Sequence, residues 1–178
     1  MVLSIQDDEG NELPVGDTGE VCVKAGNYMI EYWNKAEATA DVFRDGWYHT
    51  GDAGYVDEDG YLYLVDRVKD MIVTGGENVY STEVENAIAS HLAVAQVAVV
   101  GIPSEKWGEA VHAIVVLKPD ASATEQEIID HAREWIAGYK VPKSVEFRTE
   151  PLPLSGAMKV LKKDLRAPYW EGRSRNVN

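Results

Sequence analysis

The 178-residue sequence has one cysteine, Cys22, so it carries neither a disulfide framework nor a cysteine-built zinc knuckle, and it suits a reducing compartment. It has no apolar run near the ~20 residues that a membrane-spanning helix needs. Its first residues, Met1-Val2-Leu3-Ser4-Ile5, run at once into Gln6-Asp7-Asp8-Glu9 instead of the apolar stretch of a secretory leader. These absences lead us to expect a cytoplasmic protein with no transmembrane segment. Positive charge is scarce too: 17 Lys and Arg against 30 Asp and Glu leave a formal net charge of −13. Such a charge repels a nucleic-acid backbone and excludes general DNA or RNA binding. The four histidines, His49, His91, His112 and His131, lack metal-ligand spacing and read as structural or surface residues, so no metal ligand is expected in this chain. There is no internal repeat, no low-complexity tract and no G-x-x-x-x-G-K-[ST] phosphate loop.

What is present is globular usage, with 45% hydrophobic and 26% charged residues, in a length that holds one ordinary domain or a small domain plus part of another. The few basic residues gather late, at Lys140, Lys143, Lys159, Lys162, Lys163 and Arg166. In so acidic a chain that grouping fits a small anionic ligand or a solvated helix face. The texture changes at residues 66–80. Four charged residues within Asp66-Arg67-Val68-Lys69-Asp70 lead into apolar Met71-Ile72-Val73 and then into the pair Gly75-Gly76. Paired glycines let the backbone take positive φ or approach a ligand closely.

Before that boundary the pattern predicts short strands broken by Asp/Gly turns. Val2–Gln6 and Gly19–Lys24 read as strands, and Asn34 caps a helix over Ala36–Phe43 that stops at Asp45-Gly46. Trp47-Tyr48-His49 and Tyr55-Val56 read as strands on either side of a Thr50-Gly51-Asp52 loop, and Asp57–Gly60 turns the chain into a strand over Tyr61–Val65. Cys22, between Val21 and Val23, reads as a packed or surface thiol rather than a nucleophile. Beyond the boundary, Thr82-x-x-Glu85 and Thr124-x-x-Glu127 are candidate capping boxes. The first helix presents Val84, Ala87, Ile88 and Leu92 on one face, and the second Ile128, Ala132, Trp135 and Ile136, ending at Gly138. Val94–Ile102, Val111–Leu117 and Val145–Phe147 read as strands. Ser155-Gly156-Ala157-Met158-Lys159 reads as a flexible loop before a helix near Leu161–Leu165, with a frayed tail from Trp170. The second half is thus expected to be a compact α+β domain.

Three positions offer chemistry. Asp52 can accept two hydrogen bonds from a vicinal diol such as a ribose, and Arg67 offers a planar fork to a ribose or phosphate oxygen. Lys159 is a point charge suited to negative charge developing during attack at phosphorus or a carboxyl carbon.

In order, Trp47–Asp52, then Gly60-Tyr61 with Asp66-Arg67-x-Lys69-Asp70, then Gly75-Gly76-Glu77-Asn78-Val79 with Glu83-Val84-Glu85, then Pro153 through Lys159-Val160-Leu161, resemble the C-terminal third of the AMP-forming acyl-CoA synthetases. These belong to the adenylating-enzyme superfamily with firefly luciferase and the peptide-synthetase adenylation domains. The resemblance covers nearly the whole chain. It implies an α+β fold, with 1–65 the last part of a β-rich subdomain, 66–70 a hinge, and 71–178 a mobile domain holding a three-stranded sheet with helices and a β-hairpin. It also implies that Asp52 holds the ribose hydroxyls of ATP and of the acyl-adenylate, with Arg67 beside it, and that Lys69 is the hinge residue. Lys159 would serve adenylation of a carboxylate. After rotation, Gly75-Gly76 would serve thioester formation, with Gly76 leaving room for the pantetheine arm of CoA.

The Gly75–Val79 run is closer to the fatty-acyl CoA ligases than to peptide-synthetase domains, where an Arg stands near Asn78, and the ending Pro168–Arg173 points the same way. One departure stands out: the family commonly has Gly directly before the catalytic lysine, where this chain has Met158, with Gly at 156. The family's phosphate loop, acyl pocket and Mg2+-binding glutamate are not in this sequence, so the chain is expected to need its own N-terminal domain and to be inactive alone. The implied substrates are a carboxylic, fatty-type acid, ATP and CoA, with Mg2+. Two alternatives are an adenylating enzyme that loads a carrier protein and a noncatalytic module of the same fold.

Overall fold

Alternating apolar and polar residues, punctuated by Asp/Gly turns, build the first sheet. In the computed structural model, which describes residues 1–173, β1 (Val2–Gln6) and β2 (Gly19–Lys24) pair antiparallel, with Val2 opposite Lys24 and Gln6 opposite Glu20. Helix α1 (Ala36–Val42) runs into β3 (Phe43–Arg44), which turns back into β4 (Trp47–Val56). Asp45 and Gly46 have φ of 51° and 76°, so they form a two-residue hairpin turn of the type that matches strand twist. This corrects the sequence expectation for both ends of α1. The Asp-Gly pair turns a hairpin instead of stopping a helix. Asn34 sits at φ 53° without capping, because Lys35 precedes the first turn and no side chain caps it. The hairpin prevails because it brings the rings of Phe43 and Tyr48 within 5.3 Å of each other and both onto Tyr28.

β5 (Leu62–Arg67) pairs with β4 after a turn in which Asp57 Oδ1 accepts from the amides of Asp59 and Tyr61. The sheet runs β1-β2-β4-β3, with β5 also on β4. Ile5, Val21, Cys22 and Ala53 are its buried apolar residues. A 3-10 turn, Val68–Asp70, follows β5, and the chain divides into two compact units between Lys69 and Asp70.

The second unit opens with a hairpin of β6 (Ile72–Thr74) and β7 (Glu77–Val79). Then come α2 (Ser81–Ala89), β8 (Val94–Ser104), β9 (Gly108–Leu117), α3 (Glu125–Arg133), β10 (Ser144–Arg148) and α4 (Lys162–Arg166), with a 3-10 turn at Ala167–Trp170. β9 pairs antiparallel with β8 along its length and parallel with β10, while β6 touches it only where Thr74 meets Gly108. The α+β character is as expected, but the hairpin is joined to the expected three strands: β8, β9 and β10 with β6 and β7 make one five-stranded sheet, β10-β9-β6-β7 with β8 also on β9. Period-two alternation splits its apolar residues between two cores. Val99, Val111, Ala113 and Val115 pack with Val84, Ile88, Ile128 and Ala132 of α2 and α3. Ala98, Val100 and Ile114 pack with Leu152 and Leu165. No helix among the described residues is long and apolar enough to cross a membrane.

The Thr124 box forms, with Glu127 N donating to Thr124 Oγ1 at 3.2 Å and Thr124 N donating to Glu127 Oε2 at 2.7 Å. The Thr82 box does not. Tyr80 is the N-cap of α2, and Glu85 instead accepts from Val99 N at 2.8 Å and pairs with Lys162, because bracing the sheet satisfies a buried strand amide. Leu92 lies beyond the end of α2 and is 89% exposed. α3 ends at Arg133, before Gly138, so Trp135 leaves the helical face and is 66% exposed, while Ile136 still packs on the core. Trp170 is anchored rather than frayed, its Nε1 donating to Gly101 O at 2.9 Å, and residues 174–178 of the tail lie outside the described residues.

Thr124→Ala removes the hydroxyl that accepts from the Glu127 amide and leaves only the backbone half of the capping box, and unfolding of the second unit in urea should show a loss of about 1 kcal/mol.

Candidate functional site

In the first unit Asp52 stands on a strand, not in the expected loop, because β4 is continuous from Trp47 to Val56. The register against β2 slips here: Cys22 faces His49, but Glu20 faces Ala53. The extra residues form a bulge. Gly51 takes φ 72°, Thr50 Oγ1 donates to Val21 O at 2.8 Å, and Asp52 N donates to Thr50 Oγ1 at 3.1 Å. A bulge re-aims the side chain that follows it. On its other edge β4 pairs with β5, in a register that slips between Ala53 and Gly54, and there Asp52 stands opposite Arg67, whose Nε lies 2.8 Å from Asp52 Oδ1. Both side chains keep substantial exposure, 33% and 47%, which leaves carboxylate and guanidinium able to meet a ligand.

Beneath the bulge is a cluster that the sequence reading missed. Glu20 Oε1 accepts from Gly51 N at 3.0 Å, and its Oε2 lies 2.7 Å from His49 Nδ1 and 3.3 Å from Arg44 Nη2. Cys22 Sγ is 3.3 Å from His49 Nδ1, and burial, helped by the Glu20 charge, pushes the thiol up to about 12. A thiol so protonated is packed, not nucleophilic. Glu20, Cys22 and His49 present donor atoms within 4.8 Å of one another, yet Arg44 Nη2 also lies 3.0 Å from His49 Nδ1, so a guanidinium already supplies positive charge there.

Lys69 lies in the 3-10 turn after β5. In the second unit, Gly75 and Gly76 are the central residues of the β6–β7 turn, with φ of 61° and 87° between paired Thr74 and Glu77. Their surroundings differ. A Cβ on Gly75 would lie 2.9 Å from Trp107 Cε3, and its amide donates to Trp107 O at 2.8 Å. A Cβ on Gly76 would meet nothing within 4 Å, so open space borders the turn at that residue.

Lys159 is exposed at the end of a turn that is tighter than a flexible loop. Leu154 bridges to Val160, Ser155 N donates to Lys159 O at 2.8 Å, and Lys159 N donates to Ser155 Oγ at 3.2 Å. Met158 within it has φ 60° and is 75% exposed. The one position in this turn that favours glycine therefore holds methionine. The expected basic grouping is largely consumed by ion pairs within the unit. Lys162 Nζ sits 2.7 Å from Glu85 Oε1 and from Ser81 Oγ, Lys140 Nζ sits 2.7 Å from Glu83, and Arg166 is 3.9 Å from Asp70. Lys143, Lys159 and Lys163 remain exposed.

A second network that carried no sequence signal joins the C-terminal turn to the sheet. Buried His112 lies 2.7 Å from Ser144 Oγ through Nδ1 and 3.0 Å from Tyr169 OH through Nε2, while Tyr169 OH donates to Glu146. The tyrosine's one proton is thus committed, so His112 Nε2 donates to it and Nδ1 accepts from Ser144. Burial lowers the His112 pKa, and burial with the Glu146 bond raises that of Tyr169. Its members come from three separate elements whose partners only folding brings together.

Met158→Gly should relieve left-handed strain of about 1–2 kcal/mol, offset in part by glycine's greater chain entropy. A net gain of up to about 1 kcal/mol should register as a higher Tm.

Residues 83–159 match the AMP-binding enzyme C-terminal domain. A fatty acid–acyl-carrier-protein ligase of Streptomyces coeruleorubidus is 45% identical over 97% of this chain and 33% of its own. A long-chain-fatty-acid–CoA ligase of Yersinia pestis is 49% identical over 92% of this chain and 29% of its own. Among solved structures, ATP-bound MatB from Rhodopseudomonas palustris is similar with a TM-score of 0.86 at 38% identity, over 94% of this chain and 34% of that one. The chain spans about a third of the length of these relatives. With that likeness and the motifs in the order and setting described, the chain belongs to the AMP-binding, adenylate-forming ligases and corresponds to their C-terminal portion.

Proposed function

We propose that this chain is the C-terminal part of a cytoplasmic fatty acid–CoA ligase that works in two half-reactions. In the first, an acid carboxylate attacks the α-phosphate of ATP, forming acyl-adenylate and releasing pyrophosphate. In the second, the thiol of CoA attacks the acyl carbon and AMP leaves. The observation that carries this reading is the identity of 49% to a long-chain-fatty-acid–CoA ligase across 92% of the chain. Local geometry supports it. The Asp52 carboxylate, paired with Arg67 across β4 and β5, has the acceptor oxygens that a ribose diol requires. Lys159, on an ordered turn, carries the positive charge that adenylation develops a need for. The open space at Gly76 admits a narrow chain such as the pantetheine arm of CoA, and a side chain there would occupy it.

Lys69 is the pivot in this reading, turning the second unit between a state that uses Lys159 and one that uses Gly75-Gly76. Mg2+ supplies charge neutralisation on the phosphates of ATP. It prefers a shell of oxygen ligands, which the mixed Glu20, Cys22 and His49 donors with their Arg44 neighbour do not offer, so its ligand is assigned to the region outside this sequence. The acyl pocket and phosphate loop are assigned there too, and the isolated chain is inactive.

A second reading, with a carrier-protein thiol as acceptor in place of CoA, is favoured by the 45% identity to a fatty acid–acyl-carrier-protein ligase. Thioester formation by the whole protein, followed with CoA and with a phosphopantetheinyl carrier in turn, separates the two.

Lys159→Ala in the whole protein should slow adenylate formation by ~10²–10³-fold, the usual loss when a transition-state charge is removed. Thioester formation from supplied acyl-adenylate should be far less affected, and equal losses in both steps would contradict the assignment.

Lys69→Pro should do the reverse. Proline fixes φ near about −65° and removes an amide hydrogen, restricting a residue whose torsions must change. Single-turnover assays should show adenylation preserved and thioester formation suppressed, at an unchanged Tm; an unimpaired second step would remove Lys69 from the hinge.

A further inference from the structure

Seven consecutive residues of β9, from Glu109 to Val115, are buried, and the first of them is a carboxylate at 4% exposure. Glutamate is almost never so buried unless it is paired, and an apolar residue would have continued the strand's pattern. Its partner explains the choice. In a two-residue hairpin turn the flanking residues, here Thr74 and Glu77, exchange hydrogen bonds, so the next pair, Val73 and Asn78, is the non-bonded kind. The Val73 amide therefore points away from β7. β9 offers it no ladder partner, because β6 meets β9 only at Thr74 and Gly108. Glu109 Oε2 accepts that hydrogen at 3.2 Å.

The neighbouring residues are shaped around this carboxylate. A Cβ on Gly101 would lie 2.4 Å from Glu109 Oε2, so glycine leaves the room that it fills. Gly108, at φ 76°, turns the chain just before it, and Trp107 O takes the Gly75 amide at 2.8 Å. The Gly75-Gly76 turn is thus tied to the start of β9 at three successive points: Val73 by a side chain, Thr74 by the bridge, and Gly75 by a carbonyl. The first tie is a charged acceptor, and such bonds are roughly twice as strong as neutral ones.

We propose that Glu109 is a positioning residue for the Gly75-Gly76 turn and so governs the thiol-transfer step, an inference that rests on the two-step reading above. It touches no reacting atom and acts through the β6 backbone.

Two readouts test it. In this chain alone, amide exchange followed by NMR should show Glu109→Ala lowering the protection of Val73 and Gly75 by about tenfold or more, the loss expected for a charge-assisted bond. Ala113 and Ile114, in the β8–β9 ladder, should keep theirs. Glu109→Gln keeps one acceptor oxygen and should show a smaller loss at the same amides. Gly101→Ala, which displaces the carboxylate without removing it, should reproduce the selective loss. In the whole ligase, these variants should reduce thioester formation from supplied acyl-adenylate by up to ~10²-fold in the order Ala, Gln, since small misplacements cost that much, with pyrophosphate exchange unchanged. Unchanged protection at Val73 and Gly75, a uniform loss across all amides, or equal losses in both half-reactions would overturn the proposal. If the unmodified whole protein forms no thioester, the two-step reading fails, whereas the exchange experiment still decides whether Glu109 holds the turn.

Discussion

β9 has to satisfy hydrogen bonds on both edges and cover both faces, and the second unit is arranged around that requirement. β8 and β10 take its edges. α2 and α3 cover one face, while Leu152, Leu165 and Tyr169 cover the other. A strand buried on both sides reads as a nearly continuous apolar run, and any polar residue within it must bring its own partner. Glu109 takes the Val73 amide, and His112 is held between Ser144 and Tyr169. Both chemically interesting turns depend on this strand. Gly75-Gly76 is tied to its first residues and their neighbour Trp107, and the Lys159 turn is bounded by Leu152 and Val160, which pack with Ile114.

In the first unit the governing feature is the bulge in β4. Three of its residues, Thr50, Gly51 and Asp52, stand against Val21 alone of β2. Glu20 braces the bulge through the Gly51 amide, and on the other edge the β5 register sets Asp52 opposite Arg67. Here the charge balance of the chain is used locally. Glu20, Asp52, Glu83 and Glu85 each face a cation, so basic residues that seem available in the sequence are mostly committed to pairs. Lys143, Lys159 and Lys163 stay exposed, consistent with the role proposed for Lys159.

The sequence by itself determined much of this protein. Local signals that need no distant partner were legible: the strands Val2–Gln6 and Gly19–Lys24, the Asp57–Gly60 turn, the Thr124 capping box, the paired glycines, and the ordered motifs that place the chain among adenylate-forming ligases. Signals with two possible uses went to tertiary structure. Asp45-Gly46 ends a helix or turns a hairpin equally well, and the packing of Phe43, Tyr48 and Tyr28 chose the hairpin. Thr82-x-x-Glu85 had the spacing of a box, but the Val99 amide and Lys162 claimed the glutamate. What only the tertiary structure decided is the set of contacts between separate segments and the backbone they impose: the strand register that sets Asp52 against Arg67, the left-handed Met158, the His112–Tyr169 network, and Glu109 beneath the Gly75 turn. Pattern along a chain reports periodicity and turn chemistry. The register between strands, and the partner that each buried polar group finds, are fixed only when separate segments compete for the same hydrogen bonds and the same space.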